Sequence, residues 1–106
     1  MYREVLEEAR KALGLEGDFK IRVKNMKTKA ASISFKSRMI RINKKVIEDD
    51  ADAIKYLIYH ELVHYKFKNR GHGKDFCELL YSKLDEEFIV KEEKKIAEKM
   101  LKLNGL

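Results

Sequence analysis

Residues 53–76 read AIKYLIYHELVHYKFKNRGHGKDF, and the pattern H-E-L-V-H stands at positions 60–64 of this stretch. Apolar residues recur around the pattern at helical spacing, and Asp49 or Asp50 is a good N-cap, so we predict a helix over residues 51–68. Residues four apart lie one turn above each other on the same helix face. The two histidine side chains therefore project together, and two neutral imidazoles placed in this way can share one Zn²⁺ ion.

The acidic residue of the pattern, Glu61, is placed for acid–base chemistry. It is about 100° around the helix from His60 and roughly 60° from His64, so its carboxylate can lean over a metal ion without binding it. From there it can take a proton from a water molecule at the metal as that water attacks a carbonyl. A helix with two ordinary histidines and no metal is the simpler alternative. The group that stabilises the oxyanion is not identifiable from the sequence, and the candidates are Tyr59, Tyr65 and Tyr81.

Zinc in a hydrolytic site needs a third protein ligand and keeps one position open. His72 is the leading candidate, because it is the one remaining histidine and follows Gly71, which lets the chain reverse just past the metal helix. Glu78 is an alternative, since a glutamate from a following helix is common in H-E-x-x-H enzymes. Asp75 could ligate, accept the outer N–H of a ligand histidine, or only complement a helix dipole. Cys77 is expected to be a buried, inert thiol and not a ligand.

The rest of the chain predicts an α+β fold in one domain over residues 1–106. Some stretches have apolar residues at helical spacing. Between them lie stretches in which apolar and polar residues alternate, which is the pattern of half-buried strands. The predicted elements are a helix over 2–13 that stops at Gly14, a three-stranded sheet with strands around 19–23, 31–35 and 39–42 and a hairpin turn at 36–38, the metal helix, and further helices from 72 or 73 to about 84 and from about 87 to 103.

The composition narrows the classes of partner. The chain has 106 residues, 40% of them charged, and Lys and Arg outnumber Asp and Glu by 24 to 18 for a net charge of +6. A net positive charge can indicate nucleic acid, but the longest purely basic run is two residues, as at Lys44-Lys45, so the charge indicates a mixed surface. A Lys- and Glu-rich chain of this kind is typical of proteins from hot environments.

Cysteine usage and hydropathy bear on the cellular compartment. The one cysteine, Cys77, cannot form an internal disulfide, which fits a reducing cytosol. No apolar run approaches the eighteen or so residues needed to cross a bilayer, and the N-terminus MYREVLEEARK has no apolar core of a signal peptide. We therefore predict a cytoplasmic protein without a membrane partner.

Several features of the chain together resemble a known protein family. The helix with His60, Glu61 and His64, the segment HGKDF at 72–76, the short preceding sheet and the chain length together resemble the minigluzincins. These are short soluble zinc metallopeptidases related to the catalytic domains of the membrane proteases Ste24 and HtpX. The resemblance implies zinc-dependent hydrolysis of peptides or unfolded proteins, with Glu61 as the catalytic glutamate and a histidine as third ligand, which favours His72.

The same resemblance implies two further features. A substrate peptide is expected to add as an antiparallel strand along residues 30–34. Members of the group are latent forms whose C-terminal segment blocks the cleft, within one molecule or between two. The corresponding segment here is 88–106, so latency and a homodimer through this segment are expected. An amphipathic helix packed on its own core would explain the same apolar spacing.

A second resemblance leads to a different partner. SprT-like proteases, which act near DNA, also have H-E-x-x-H followed by His-Gly-x-x-Phe, but this chain lacks the Cys-rich zinc ribbon that many of them carry. Nucleic acid is therefore an alternative partner, either for such a protease or for a non-catalytic basic zinc domain, and is not the expected one.

Overall fold

The structure is a computed structural model that describes residues 2–105. In chain order its elements are α1 (Tyr2–Ala12), β1 (Lys20–Lys24), β2 (Ala31–Ser34), β3 (Met39–Asn43), α2 (Ala51–Phe67), α3 (Lys74–Lys83) and α4 (Glu86–Leu103). The predicted α+β fold is confirmed, with element ends shifted by one or two residues. Met1 and Leu106, which the predicted domain and C-terminal segment include, lie outside the described residues. Within the described part of the chain, no helix is long and apolar enough to cross a bilayer.

The three strands form one sheet in the order β1-β3-β2, which places β2 at an edge. β2 and β3 are antiparallel and are joined by the predicted hairpin turn, whereas β1 runs parallel to β3. Parallel pairing follows from the connection at 25–30, which carries the chain from one edge of the sheet to the other before β2 begins. Ile33 and Ile40 face each other across the ladder and are 2% and 0% exposed, so the apolar alternation seen in the sequence fills the core.

Helix α2 lies at the centre of the fold, in contact with α1, the strands β2 and β3, α3 and α4. Burial on several sides explains its long apolar runs, since residues such as Ile58, Leu62 and Val63 are fully buried. The first turn is capped as predicted: Asp50 Oδ1 accepts the N–H of Ala53 at 3.0 Å. The histidines of the H-E-L-V-H pattern therefore stand on a helix held from several directions.

Helix α4 packs along α2 through the buried side chains of Ile89 and Ile96. An ion-pair cluster adds to this contact, because Lys95 Nζ lies 2.8 Å from Asp50 Oδ2 and 2.7 Å from Glu92 Oε1. Glu92 is fully buried, and such a carboxylate needs a charged partner of this kind. The first half of the predicted C-terminal segment is thus part of the core.

Candidate metal centre

The loop after α2 carries the chain back across the end of that helix. Phe67 is the last helical residue, and Lys68 takes the left-handed conformation with φ 51°. The N–H of Asn69 then donates to the carbonyl of His64, and the Asn69 side chain accepts the N–H of Gly71 at 2.7 Å. The reversal expected at Gly71 is therefore made at Lys68 and Asn69, where a backbone bond caps the helix and an Asx turn redirects the chain.

This reversal brings the three histidines of the chain together. The Nε2 atoms of His60 and His64 are 3.2 Å apart, and the Nε2 atom of His72 lies 3.1 Å from each of them. His64 is buried, His60 is half-buried and His72 is exposed. The sequence therefore identified all three members of a cluster whose ligand atoms can reach one ion.

The hydrogen bonds on the outer ring nitrogens show which tautomers these histidines adopt. His64 Nδ1 lies 2.8 Å from the carbonyl oxygen of Asn69, which can only accept, so Nδ1 carries the proton. The Nε2 atom of His64 is then a bare lone pair that points at the other two rings. Burial lowers the pKa of this histidine, which keeps it neutral.

His60 is held in the same tautomer by Tyr56. The hydroxyl of Tyr56 donates to Glu93 Oε2 at 2.7 Å and lies 3.1 Å from His60 Nδ1. Because the hydroxyl has one proton and gives it to the carboxylate, it accepts from Nδ1, which leaves the Nε2 of His60 unprotonated. Burial, with the neighbouring His64 and His72, lowers the pKa of His60 to about 3.

The donor set fits a divalent transition metal. Two bare nitrogen lone pairs that face each other at 3.2 Å repel unless a cation lies between them. Nitrogens at zinc-binding distance in tetrahedral geometry are about 3.3 Å apart, close to the separations seen here. Three imidazole ligands suit zinc and its neighbours in the first transition row and not calcium or magnesium, which prefer oxygen.

Phe76 supports the cluster from α3. Its ring centroid lies 5.0 Å from that of His60, 4.6 Å from that of His64 and 4.9 Å from that of His72. Phe76 is buried, and it lies in the first turn of a helix whose buried face continues at Leu80. One aromatic side chain therefore packs against all three imidazoles and restricts their rotation.

Glu61 lies beside the cluster in a dry environment. It is 5% exposed, and burial raises its pKa to about 7, while the positive charges of Arg70 and Lys29 act in the opposite direction. A carboxylate with a pKa near neutral can both accept and return a proton at physiological pH. A cation held by the histidines would act in the same direction as these two positive charges and lower the pKa of Glu61.

A cavity of about 470 Å³ opens in front of Glu61, His60 and His72. One wall is formed by Ala30 and Ala31 at the sheet edge, and the opposite wall by Glu93, Ile96 and Ala97 of α4, with Leu57, Tyr56 and Lys29 between them. The cleft is therefore bounded by the predicted substrate strand on one side and by the predicted C-terminal segment on the other.

The outer edge of β2 has one side-chain partner from the loop that carries His72. The carbonyls of Ala30 and Ser34 accept from Asn43 and Arg38, so they face β3. Because the backbone N–H and C=O groups of successive residues point to opposite sides of a strand, those of Ala31 and Ile33 face away from β3. Arg70 Nη2 donates to the carbonyl of Ile33 at 2.8 Å, which anchors the loop on this edge and leaves the Ala31 end adjoining the cleft.

The other ligand candidates lie outside the cluster. Glu78 is exposed and forms an ion pair with Lys74 at 3.7 Å. Asp75 is exposed, and the outer nitrogens of His60 and His64 are bound by Tyr56 and Asn69 in its place. Cys77 was expected to be buried, which is wrong: the thiol is exposed, with Sγ 3.7 Å from the carbonyl of His72. The buried face of α3 runs through Phe76 and Leu80, and Cys77 falls beside it.

The tyrosines proposed for the oxyanion do not line this cavity. Burial raises the pKa of Tyr59, and the nearby carboxylate of Glu8 on α1 raises it further. The ring of Tyr65 packs edge-on against Phe19 at 4.8 Å, on the sheet side of the helix. Tyr81 is exposed on α3. The tyrosine that lines the cavity is Tyr56, which sequence reasoning missed, although its spacing of four residues from His60 is a detectable signal.

A family model described as "YgjP-like, metallopeptidase domain" matches residues 2–101. The chain belongs to this metallopeptidase family. An uncharacterized protein of Methanocaldococcus jannaschii is 39% identical to the YgjP-like chain over 75 residues, which is 70% of this chain and 68% of that protein. An uncharacterized protein of Aquifex aeolicus is 41% identical over 63 residues, or 58% of this chain and 57% of the other.

Solved structures of two metallopeptidase zymogens have the same fold as the YgjP-like chain. Jannalysin of Methanocaldococcus jannaschii is 34% identical with a TM-score of 0.80, and the match covers 94% of this chain and 97% of that one. Abylysin of Pyrococcus abyssi is 27% identical with a TM-score of 0.83, covering 93% and 94%. These matches confirm the metallopeptidase prediction and agree with the minigluzincin resemblance and the hot-environment composition.

Proposed function

We propose that this metallopeptidase is a zinc-dependent endopeptidase in which His60, His64 and His72 hold the metal and Glu61 is the general base. The observation that carries the proposal is the convergence of three Nε2 atoms within 3.1–3.2 Å of one another, beside a buried carboxylate at the same cavity. A bound zinc ion supplies Lewis acidity there, which polarises a carbonyl group and lowers the pKa of a water molecule.

The chain's own residues move the protons. Glu61 takes a proton from the attacking water and returns it to the amide nitrogen that leaves, so one carboxylate acts first as base and then as acid. Its burial supports this role, because a dry carboxylate is a stronger base than one in bulk water. Tyr56 and the Asn69 carbonyl keep His60 and His64 in the tautomer that presents bare nitrogens.

We propose that the substrate peptide binds along β2. The N–H and C=O groups of Ala31 face outward at the cleft, and Ala30 and Ala31 stand across the cavity from α4. An extended peptide that pairs with Ala31 would lie between the strand and the helix, in reach of Glu61. The hydrogen bond from Arg70 to the carbonyl of Ile33 limits how far the peptide can pair towards the Ile33 end of β2.

The metal assignment is tested by the metal content of two matched variants. His72→Ala is expected to lose most of the zinc that the unaltered protein retains after dialysis, together with cleavage of an unstructured fluorogenic peptide, because two ligands hold zinc more weakly than three. Glu78→Ala, at the rival ligand position, is expected to keep both. Stoichiometric zinc in His72→Ala, or loss of zinc in Glu78→Ala, would overturn the assignment.

We further propose that part of segment 88–106 restricts the cleft and makes the full-length chain latent. Support comes from the zymogen state of jannalysin and abylysin and from Ile96 and Ala97, which wall the cavity. Truncation at residue 88 is unsuitable, because it removes the buried Ile89. A chain ending at Ile96 keeps Ile89, Ile96 and the ion pair of Lys95 with Asp50 and is expected to cleave peptides faster than the full chain, whereas a chain ending at Asn104 is expected to match it. Equal rates for all three would refute latency.

A homodimer through the same segment is proposed on the exposed apolar residues of α4. Val90, Leu101 and Leu103 are 53%, 52% and 40% exposed. Sedimentation of the full chain against Leu101→Glu is the test, with a concentration-dependent dimer expected only without the substitution.

We also propose a reducing compartment, because an exposed free thiol at Cys77 would oxidise elsewhere, and we propose no nucleic-acid partner.

A further inference from the structure

We propose that Glu93 of helix α4 is a positioning residue for the metal ligand His60 and acts through the hydroxyl of Tyr56. This inference rests on the proposed metal site and extends it to an element that the sequence motif does not reach. Three atoms form a continuous chain: Glu93 Oε2, the Tyr56 hydroxyl oxygen at 2.7 Å and His60 Nδ1 at 3.1 Å from that hydroxyl.

The chain of hydrogen bonds has one direction. A carboxylate can only accept, so the single proton of the Tyr56 hydroxyl is committed to Glu93. The hydroxyl oxygen is then left as an acceptor for the Nδ1 proton of His60. His60 is thereby fixed in the tautomer with a bare Nε2, the nitrogen that points at His64 and His72.

Without the carboxylate of Glu93, the direction of the hydrogen bond between Tyr56 and His60 is no longer determined. The Tyr56 hydroxyl is free to rotate and donate to Nδ1 of His60, which favours the tautomer that carries its proton on Nε2. A protonated Nε2 has no lone pair for a metal, so each binding event then includes the cost of moving that proton. Glu93 therefore acts on His60 through the hydroxyl of Tyr56, to which both residues are hydrogen-bonded.

The surroundings hold this arrangement in place. Tyr56 is 3% exposed, and its ring lies 5.5 Å from the ring of His60, so its hydroxyl has little freedom to find other partners. Glu93 is itself exposed, but its position on α4 is set by the buried Ile89 and Ile96 on either side of it in the chain and by Lys95, which ties the same helix to α2. Helix α4 thus supports the metal ligand as well as bounding the cleft.

The test compares zinc affinity in three single variants. Tyr56→Phe deletes the hydroxyl alone, and Glu93→Gln keeps the size of the side chain but replaces a carboxylate that can only accept by a neutral amide that can also donate to the Tyr56 oxygen. Each is expected to weaken zinc binding about tenfold, measured by competition with a chromophoric chelator, and to change the visible spectrum of the cobalt-loaded protein. Glu98→Gln makes the same charge change at another exposed position of α4, outside the lining of the cavity, and is expected to leave affinity and spectrum unchanged. Thermal unfolding of the metal-free variants checks their folding.

A double variant separates positioning from a simple charge effect. If Glu93 acts through Tyr56, Tyr56→Phe/Glu93→Gln binds zinc no more weakly than Tyr56→Phe alone. Additive losses would mean that Glu93 acts only as a nearby negative charge, and unchanged affinity in Glu93→Gln would mean that it does not act at all; either result overturns the inference. Failure of the unaltered protein to bind zinc would instead overturn the proposed function.

Discussion

Asp50 Oδ2 lies 2.8 Å from Lys95 Nζ, which joins the N-terminus of the central helix α2 to the middle of α4. The same carboxylate caps α2 by accepting the N–H of Ala53 and also pairs with Lys99 at 3.3 Å. One side chain therefore both starts the helix that carries the metal ligands and fastens the helix that bounds the cleft. The ion pairs of Asp50 with α4 come from Lys95 and Lys99, both before Met100 in the chain.

This arrangement predicts how stability changes with pH. Burial raises the pKa of Asp50, but the hydrogen bonds from Lys95, the Ala53 N–H and Lys99 outweigh it, so the pKa lies below its usual 3.8. A lowered pKa in the folded state stabilises the protein above the unfolded value, near 3.9, and this contribution disappears as the pH falls through the folded value. Asp50→Asn keeps a capping side chain but is expected to cost on the order of 1–2 kcal/mol at pH 6.

Urea unfolding of the metal-free protein at pH 6 and pH 2.5 measures this effect. The stability difference between the unaltered protein and Asp50→Asn is expected to shrink at the lower pH, because the contribution of Asp50 falls as the pH drops below the pKa of the unfolded chain towards the lowered pKa of the folded state. Asp52→Asn, an exposed change in the first turn of the same helix, serves as the control and should show a small difference. A difference that stays constant between the two pH values would contradict the account.

The packing of Phe76 against all three imidazoles predicts a coupled loss of stability and metal affinity. Phe76→Ala is expected to destabilise the metal-free protein by roughly 3–5 kcal/mol and to weaken zinc binding, because the histidine rings lose their support. Phe76→Leu retains most of the buried volume and should cost less than about 1.5 kcal/mol. Equal urea midpoints for the two variants would show that the ring does not support the site.

Metal removal is expected to lower the thermal stability of the chain. A ligand that binds only the folded state contributes about 3 kcal/mol when its concentration is 100 times its dissociation constant, equivalent to roughly 10 °C or more for a chain of this size. A chelator titration followed by calorimetry measures the shift. His64→Ala should show little further shift with chelator, and a large shift in that variant would place the metal elsewhere.

The outward-facing edge of β2 predicts a selective effect on substrate binding. Ala31→Pro removes an N–H that does not pair with β3, so the fold and zinc content should be retained. The loss of one hydrogen bond to the peptide, worth about 1 kcal/mol, is expected to lower kcat/KM about fivefold. Unchanged kcat/KM with a folded, zinc-loaded variant would argue against binding along this strand.

Much of the site could be predicted from the sequence because its central part is local. His60, Glu61 and His64 lie within one stretch of helix, where spacing alone determines which side chains share a face. His72 follows after a short loop, so the end of α2 limits how far it can lie from them. The helices and strands were predictable for the same reason, since each depends on the periodicity of its own residues.

The rest depends on contacts between distant parts of the chain. Glu93 bonds to Tyr56 and Arg70 bonds to the Ile33 carbonyl, each across 37 residues, and no local pattern indicates either contact. The place at which the chain reverses after α2 was predicted wrongly for a different reason. A glycine, here Gly71, is the usual signal for a reversal, yet Lys68 takes the left-handed conformation and the side chain of Asn69 forms the turn.

The central claim is that Glu61 acts on protons at a metal held by the three histidines. Zinc content and peptide cleavage, measured on one preparation of Glu61→Gln, test it most directly. The account predicts one zinc ion per chain, as in the unaltered protein, with a loss of kcat of at least about 100-fold, because the amide cannot take a proton from water. Cleavage at the unaltered rate by the zinc-loaded variant would contradict the account.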